Sequence, residues 1–367
     1  IVSGGPIPFS EYMEMALYEP GLGYYSAGLQ KFGEGGDFVT APQLGNVFAR
    51  CLAEQVAQVG DSLGRYEIIE AGAGSGILAA DLLKNLRDQH APSRYRILER
   101  SAHLRQVQKE TLQKHVPEWM NRICWLDEPP ADGWRGVFLA NEVLDALTVE
   151  RFCLDADGPR QMQVASGAAG FEWVKGTCPE KMQMQVRSLL TGLDHCPATG
   201  YCSELNTSLA AWLQTVTASL QNGLALFIDY GYTRQDYYRA QRSDGTLICH
   251  YRHRTHNDPF LWPGLTDISA SVDFTALAEA ADSCGLEVGG YTTQAMFLLA
   301  CGLGGILEQA ESLPAKERMN LNNQVRRLTL PSEMGERFQV MALSRGLDEK
   351  TGNNLIGFSL SDLCHRL

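Results

Sequence analysis

Positive charge is in short supply in this chain of 367 residues: 31 lysines and arginines face 43 aspartates and glutamates, for a formal net charge of -12. A general phosphate-backbone binder carries a basic surface, so nucleic acid is a poor partner. An acidic field instead attracts Lys- or Arg-rich proteins. Long apolar runs are missing as well, and no stretch approaches the length of a membrane span. There is no C-x-x-C pair among the 10 cysteines, most of which sit singly in apolar stretches. That pattern reads as free thiols in a cytoplasm-like compartment, not as a disulfide or zinc framework. Repeats and low-complexity tracts are absent. The sequence begins at Ile1 and not at methionine, so a targeting segment, and with it a mitochondrial matrix location, stays open.

What is present is a soluble globular composition, 44% hydrophobic and 20% charged. Residues 1–45 are rich in glycine, proline and aromatics and read as an ordered cap, with a short helix from Phe9 to Leu17. Residues 44–60 carry apolar side chains at helical spacing (Leu44, Val47, Phe48, Cys51, Leu52, Val56). Strand–helix alternation follows, as in an α/β sheet. The strands expected are 66–70, 95–99, 122–126, 136–140, 225–229, 286–291 and 338–343. Asp273 is placed to cap a helix from Phe274 to Cys284. Residues 151–200 interrupt the alternation with short strand-like pieces and a polar helix near 180–193. A helical insertion occupies 296–328. The expected divisions are therefore a cap and lid (1–45), a first core part (46–150), an insertion (151–200), a second core part (201–295), a helical insertion (296–328) and a C-terminal strand and tail (329–367).

The first strand runs into Glu70-Ala71-Gly72-Ala73-Gly74-Ser75-Gly76 and then a helix. Glycines let the chain turn sharply and let backbone approach a nucleotide. The dinucleotide fingerprint needs its third glycine after a two-residue gap, where this chain has the bulky Ile77. Glu70 would also repel a pyrophosphate. The loop suits a ligand with a cationic centre and no phosphate, such as S-adenosylmethionine (SAM). An NAD-dependent oxidoreductase is disfavoured on the same grounds. Glu99, ending the second strand, is placed to accept ribose hydroxyls. Leu126 and Asp127, after the third, could flank adenine, or be an ordinary strand end.

Asn141, Glu142 and Asp145 follow the fourth strand, where ligands of open α/β sheets sit. Asn141 offers a donor and an acceptor. Glu142 and Asp145, three apart, could share one side of a helical turn and hold a guanidinium, or merely cap a helix. Asp229, after the fifth strand, could complete that cage, with Tyr230 as an apolar wall. His250, His253 and His256 are spaced three and three without carboxylates or cysteines, which is poor for zinc. No metal site is expected; a polar lid or partner contact fits that segment better.

Beyond the glycine loop, the chain carries Pro20-Gly21-Leu22-Gly23-Tyr24-Tyr25, Gly36-Asp37-Phe38-Val39-Thr40-Ala41-Pro42, Ala140-Asn141-Glu142-Val143-Leu144-Asp145-Ala146, Asp229-Tyr230-Gly231, Tyr251-Arg252-His253-Arg254, Asp267-Ile268-Ser269 and Met334-Gly335-Glu336. Together these resemble the MidA family of class I methyltransferases over nearly the whole chain. The resemblance implies a Rossmann-like seven-stranded sheet with an N-terminal cap and two insertions. It implies SAM as cofactor, with Gly36, Asp37 and Phe38 folding over it beside Glu70, Gly72, Gly74, Gly76, Glu99, Leu126, Asp127 and Asn141. The mitochondrial branch of the family methylates arginine on a respiratory complex I subunit. That implies a protein substrate here, with Glu142, Asp145 and Asp229 as the catalytic carboxylates. Thr148 departs from the family, where proline is expected. The insertions are natural places for partner contact or a homodimer. The alternatives are a small-molecule acceptor, another protein residue, or an assembly factor that binds SAM with little catalysis.

Overall fold

The computed structural model describes residues 4–26, 40–86, 90–252 and 254–367. Seven strands in chain order build the central sheet: β1 (Glu67–Ala71), β2 (Arg94–Leu98), β3 (Ile123–Leu126), β4 (Trp134–Asn141), β5 (Leu220–Tyr232), β6 (Glu287–Thr293) and β7 (Phe338–Arg345). Their spatial order is β6-β7-β5-β4-β1-β2-β3. All run parallel except β7, which is antiparallel to both neighbours. A two-residue strand, Val272–Asp273, extends the sheet beside the end of β5.

The sequence of β5 shows why it lies inside the sheet and not at an edge. Leu224 to Ile228 is an unbroken apolar run, and all five residues are buried, as a parallel strand covered on both faces requires. Helices Val47–Leu63 and Ile77–Asn85 and the helical insertion cover one face. Helices Leu209–Thr217 and Phe274–Ser283 cover the other. The Asp273 carboxylate accepts from the Ala276 amide at 3.0 Å, the expected cap, which contributes about 1 kcal/mol. The helix expected from residue 44 starts at Val47, because Ala41–Leu44, with Pro42, forms a separate 3-10 turn.

The regions outside the sheet are arranged differently from the expectation. Strands Glu150–Asp155, Gly158–Gly167, Gly170–Gly176 and Cys202–Leu205 form a second sheet, and the N-terminal strand Ile7–Pro8 joins it by pairing with Gly158–Gly167. The N-terminal segment and the insertion thus share one sheet. The insertion also reaches past residue 200, since Cys202–Leu205 is one of its strands. Helix Phe9–Tyr18 buries Phe9, Tyr12, Met13, Ala16 and Leu17, one face at helical spacing. They pack with Val149, Val164, Cys249 and Ile268. The segment 230–270 contains a small sheet of its own, Ile248–Tyr251 flanked by Arg254–His256 and Asp267–Ser269.

The cysteine reading needs one correction. Cys153 and Cys202 are directly opposite each other on paired strands, with Cα atoms 4.0 Å apart, and they form a disulfide. They stand 49 residues apart in sequence, so only strand pairing reveals them. The other eight are free thiols. Among the described residues, no helix is long and apolar enough to cross a membrane.

Candidate functional site

A cavity of about 810 Å³ opens at the C-terminal ends of β1, β2 and β4. On its first side, the chain leaves β1 through Gly72, Gly74 and Gly76, with φ of 62°, 51° and 81°. These left-handed conformations are closed to most side chains. At Gly76 a Cβ would also lie 3.1 Å from Gln108 Cα. Gly72 and Gly74 line the cavity, whereas Gly76 starts the following helix from behind it.

Two acids stand beside the loop. Glu70 is buried and accepts from the Tyr95 hydroxyl at 2.7 Å. Burial pushes its carboxyl up to about 7, with the charge of Glu99 adding and the Tyr95 hydrogen bond opposing. Glu99 accepts from the Ser101 amide at 2.9 Å and from Gln108 Nε2 at 3.0 Å. The same Gln108 nitrogen donates to the Gly74 carbonyl at 3.1 Å, and Gln108 Oε1 accepts from Trp125 Nε1 at 2.9 Å. A fully buried amide therefore ties the glycine loop to the acid of the second strand.

Leu126 and Asp127, expected to flank the ligand, are not among the residues that line this cavity. The Asp127 side chain is 87% exposed and pairs with Arg105 at 2.7 Å. Arg105 also binds the carbonyls of Glu99 and Leu126, so this corner fastens two strand ends together. Ser101, His103 and Leu104, at the start of helix Ala102–His115, line the cavity instead. Gly36, Asp37 and Phe38 lie outside the described residues.

Asn141, Glu142, Asp145 and Asp267 line the cavity as well. No helix follows β4; residues 142–148 form an irregular turn. Glu142 adopts a left-handed φ of 53°, a costly state for a residue with a Cβ. It is held by its amide on the Ile228 carbonyl at 2.9 Å. The side-chain oxygen Oδ1 of Asn141 is buried with no hydrogen-bond partner, while its amide donates to Glu142 Oε1 at 3.1 Å. Burial first, then the neighbouring Asp145 charge, push Glu142 up to about 8. Burial raises Asp145 to about 6, opposed by the polar groups of its own turn.

Asp229 does not join this wall, contrary to the expected cage. Its Oδ2 accepts the amides of Val143, Leu144 and Asp145 at 3.2, 2.9 and 3.2 Å, and Oδ1 accepts the Tyr230 amide at 2.9 Å. Burial and the charges of Asp145 and Glu142 push it well above the carboxylate range, and the backbone amides pull it back. Both oxygens are committed to backbone, so Asp229 shapes the turn that presents Glu142 and Asp145.

Several wall residues carry no signal that periodicity or the glycine loop could supply. Tyr18 and Tyr25 stack with ring centroids 5.5 Å apart, and the Tyr18 hydroxyl donates to the Ala146 carbonyl at 2.8 Å. Burial holds both hydroxyls well above their ordinary range, which keeps them neutral. Trp212 and Thr215 close another side. Asp267 and Tyr25 fall within quoted motifs, which marked them but did not assign them a place. Among the described residues no cluster of histidine, cysteine and carboxylate side chains could hold a metal.

The two sides fit one small ligand and one acceptor. The glycine loop leaves room for close backbone approach, and the carboxyl groups of Glu99 and Glu70 stand beside it. A pyrophosphate would face two acids. The comparisons agree with this fit. A family described as S-adenosyl-L-methionine-dependent methyltransferase matches residues 47–292. The crystal structure of a superfamily member from Burkholderia thailandensis, bound to S-adenosyl-homocysteine, superposes with a TM-score of 0.92 at 41% identity, covering 100% of this chain and 94% of that one. A Drosophila melanogaster protein named protein arginine methyltransferase NDUFAF7 homolog, mitochondrial, is 29% identical over 95% of this chain and 83% of its own. The Homo sapiens protein arginine methyltransferase NDUFAF7, mitochondrial, is 28% identical over 94% and 81%.

Proposed function

The chain belongs to the MidA-type S-adenosyl-L-methionine-dependent methyltransferases, and from that membership we propose that its acceptor is an arginine side chain on a protein. The observation that carries the reading is the group of three carboxyl side chains, Glu142, Asp145 and Asp267, lining the same cavity as the glycine loop. A planar guanidinium has five donors and suits paired carboxylates. The relatives named as protein arginine methyltransferases support the same choice. A respiratory-complex subunit is the acceptor that the family resemblance suggests.

SAM, when bound, supplies a methyl carbon already activated by its sulfonium. Gly72 and Gly74 give it room, Glu99 holds the ribose, and Glu70 and Asn141 Oδ1 face its polar groups. On the acceptor side, Glu142 and Asp145 grip the guanidinium and turn one nitrogen toward the methyl, with Asp267 as a third contact. A nitrogen that gains a methyl sheds a proton, and Glu142, ionised by the bound guanidinium beside it, takes it on its carboxylate. A group that titrates near neutrality suits that exchange. Asp229 is a positioning residue that acts through the amides of the turn. Tyr18, Tyr25 and Trp212 exclude water, which strengthens each charge contact. Most of the catalytic effect then comes from placing two reactants together.

The test is mass spectrometry of methylated arginines in cells with and without the protein, joined to methyl transfer by purified variants. Loss of specific methylarginine sites supports the reading. Unchanged sites, or transfer that survives both Glu142→Gln and Asp145→Asn, overturns it.

A further inference from the structure

Three non-glycine residues have left-handed backbone among those described: Glu142, Arg252 at φ 49° and Trp262 at φ 51°. Such conformations persist where surrounding structure holds them, and they gather at functional surfaces. Glu142 lies in the cavity. The other two lie outside it: Arg252 directly follows the strand Ile248–Tyr251, and Trp262 lies in the loop after the strand Arg254–His256.

That loop exposes an apolar patch. Trp262 rests against Tyr251, with ring centroids 4.6 Å apart, and stands edge-on to His256, yet it is 51% exposed. Leu261 and Leu265 beside it are exposed as well. Leu22 is 73% exposed, and its carbonyl would be 2.4 Å from a Cβ at Gly264. Two separate segments of chain thus meet here without covering their large apolar side chains. Clustered exposure of this kind marks an interaction surface, whereas scattered exposure does not.

The two segments of the patch run on in sequence into residues that line the cavity. Leu22 directly follows Pro20 and Gly21, and Leu265 stands two residues before Asp267; Pro20, Gly21 and Asp267 all line the cavity. Charge reverses along the same path. The cavity wall is acidic, while Arg252 and Arg254 are exposed on the hairpin, with Arg252 over the Tyr251 ring at 5.1 Å.

We propose that Leu22, Leu261, Trp262 and Leu265 dock the stretch of acceptor protein that flanks the methylated residue. An apolar side chain of that stretch sits on Trp262, and a carboxylate beyond it reaches Arg252 and Arg254. A partly exposed tryptophan at the centre of an apolar patch is the usual kind of energetic anchor. The proposal rests on the reading that the cavity takes a side chain of a protein, and it adds which sequence context is chosen.

The experiment is an array of immobilised peptides with a central arginine and permuted flanks, with matched sets carrying lysine or alanine at the centre. The array is probed with the full chain saturated with S-adenosylhomocysteine. The wild type is expected to retain peptides with an apolar residue and then an acidic one on the same side of the centre. The double variant Trp262→Ala, Leu265→Ser is expected to bind those peptides at least tenfold more weakly and to lose the flank preference. Its affinity for S-adenosylhomocysteine, measured by calorimetry, should stay within twofold. Leu22→Asp attacks the patch from the other segment and should act alike. A wild type with no flank preference, or variants with an unchanged one, overturns the proposal. The same flanks selected around lysine would sustain the docking surface and sink the arginine reading.

Discussion

Glu99 and Glu142 line one cavity, and the protein treats them oppositely. Around Glu99 it completes its own hydrogen bonds: an amide from Ser101, an amide from Gln108, and Gln108 in turn satisfied by Gly74 and Trp125. Around Glu142 it gathers two further acids, Asp145 and Asp267, sets one amide bond from Asn141 against them, and strains the backbone. The Glu99 carboxylate thus has its partners before a ligand arrives, although its charge still raises the buried Glu70. The surroundings of Glu142 store unfavourable electrostatics that a cationic acceptor would relieve. Buried like charges are costly when unpaired, so the acceptor side makes sense as a surface completed by its substrate.

The sharpest way to break this contrast is Gly74→Val. A β-branched side chain at φ 51° strains the loop, and affinity for S-adenosylhomocysteine should fall at least about 100-fold in calorimetry while circular dichroism stays native. Retained affinity would mean that the cofactor side is not pre-shaped. Glu142→Gln should do the reverse. It removes one partner of a charge pair, so kcat/KM on a guanidinium acceptor should drop about 100-fold while cofactor affinity barely moves. A parallel loss of both would erase the distinction between the two sides.

Asp229→Asn tests whether the acceptor side is held from behind. It places an NH₂ against backbone donors, and urea unfolding should show a loss of about 1–3 kcal/mol, the cost of unsatisfied buried groups. Gln108→Leu should weaken S-adenosylhomocysteine binding by about tenfold, with kcat near the wild-type value once cofactor saturates.

The smallest effect expected is on pH. Glu142 and Asp145, at about 8 and 6, keep protons that an unfolded chain would release near pH 4 to 5. Their stabilising contribution to the ligand-free protein is therefore full below that range and is lost as pH rises through 6 and 8. Thermal stability should decline across this window, and Glu142→Gln should flatten the decline. A cationic acceptor favours the ionised carboxylates, so its KM should fall by a few-fold from pH 6 to 8. A KM that rose instead would place the cation elsewhere.

Much of the cofactor side could be read from the chain. Glu70 and the glycines are contiguous, and Glu99 closes a strand whose period is visible. Gln108 could not be read, because on its helix it is one polar residue among many; only the close approach at Gly76 brings it inward. The acceptor side was legible as residue types and not as roles. Asp229 looked like a substrate contact, but amides 84 to 86 residues away in sequence occupy it. Asp127 looked like a ligand contact, but Arg105 turns it outward. The disulfide and the sheet shared by Ile7–Pro8 with the insertion depend on strand pairings across long separations.

By itself the sequence determined the seven-strand alternation, the turn at Gly72 to Gly76 and the acid in place of phosphate-binding chemistry. These rest on local rules: side-chain period, allowed φ, and charge next to a nucleotide site. The tertiary structure alone decided which acids face the cavity, which one braces the turn behind it, and where an exposed tryptophan meets the rim. Those outcomes depend on burial and on hydrogen-bond partners that come from distant parts of the chain, and no local pattern encodes them.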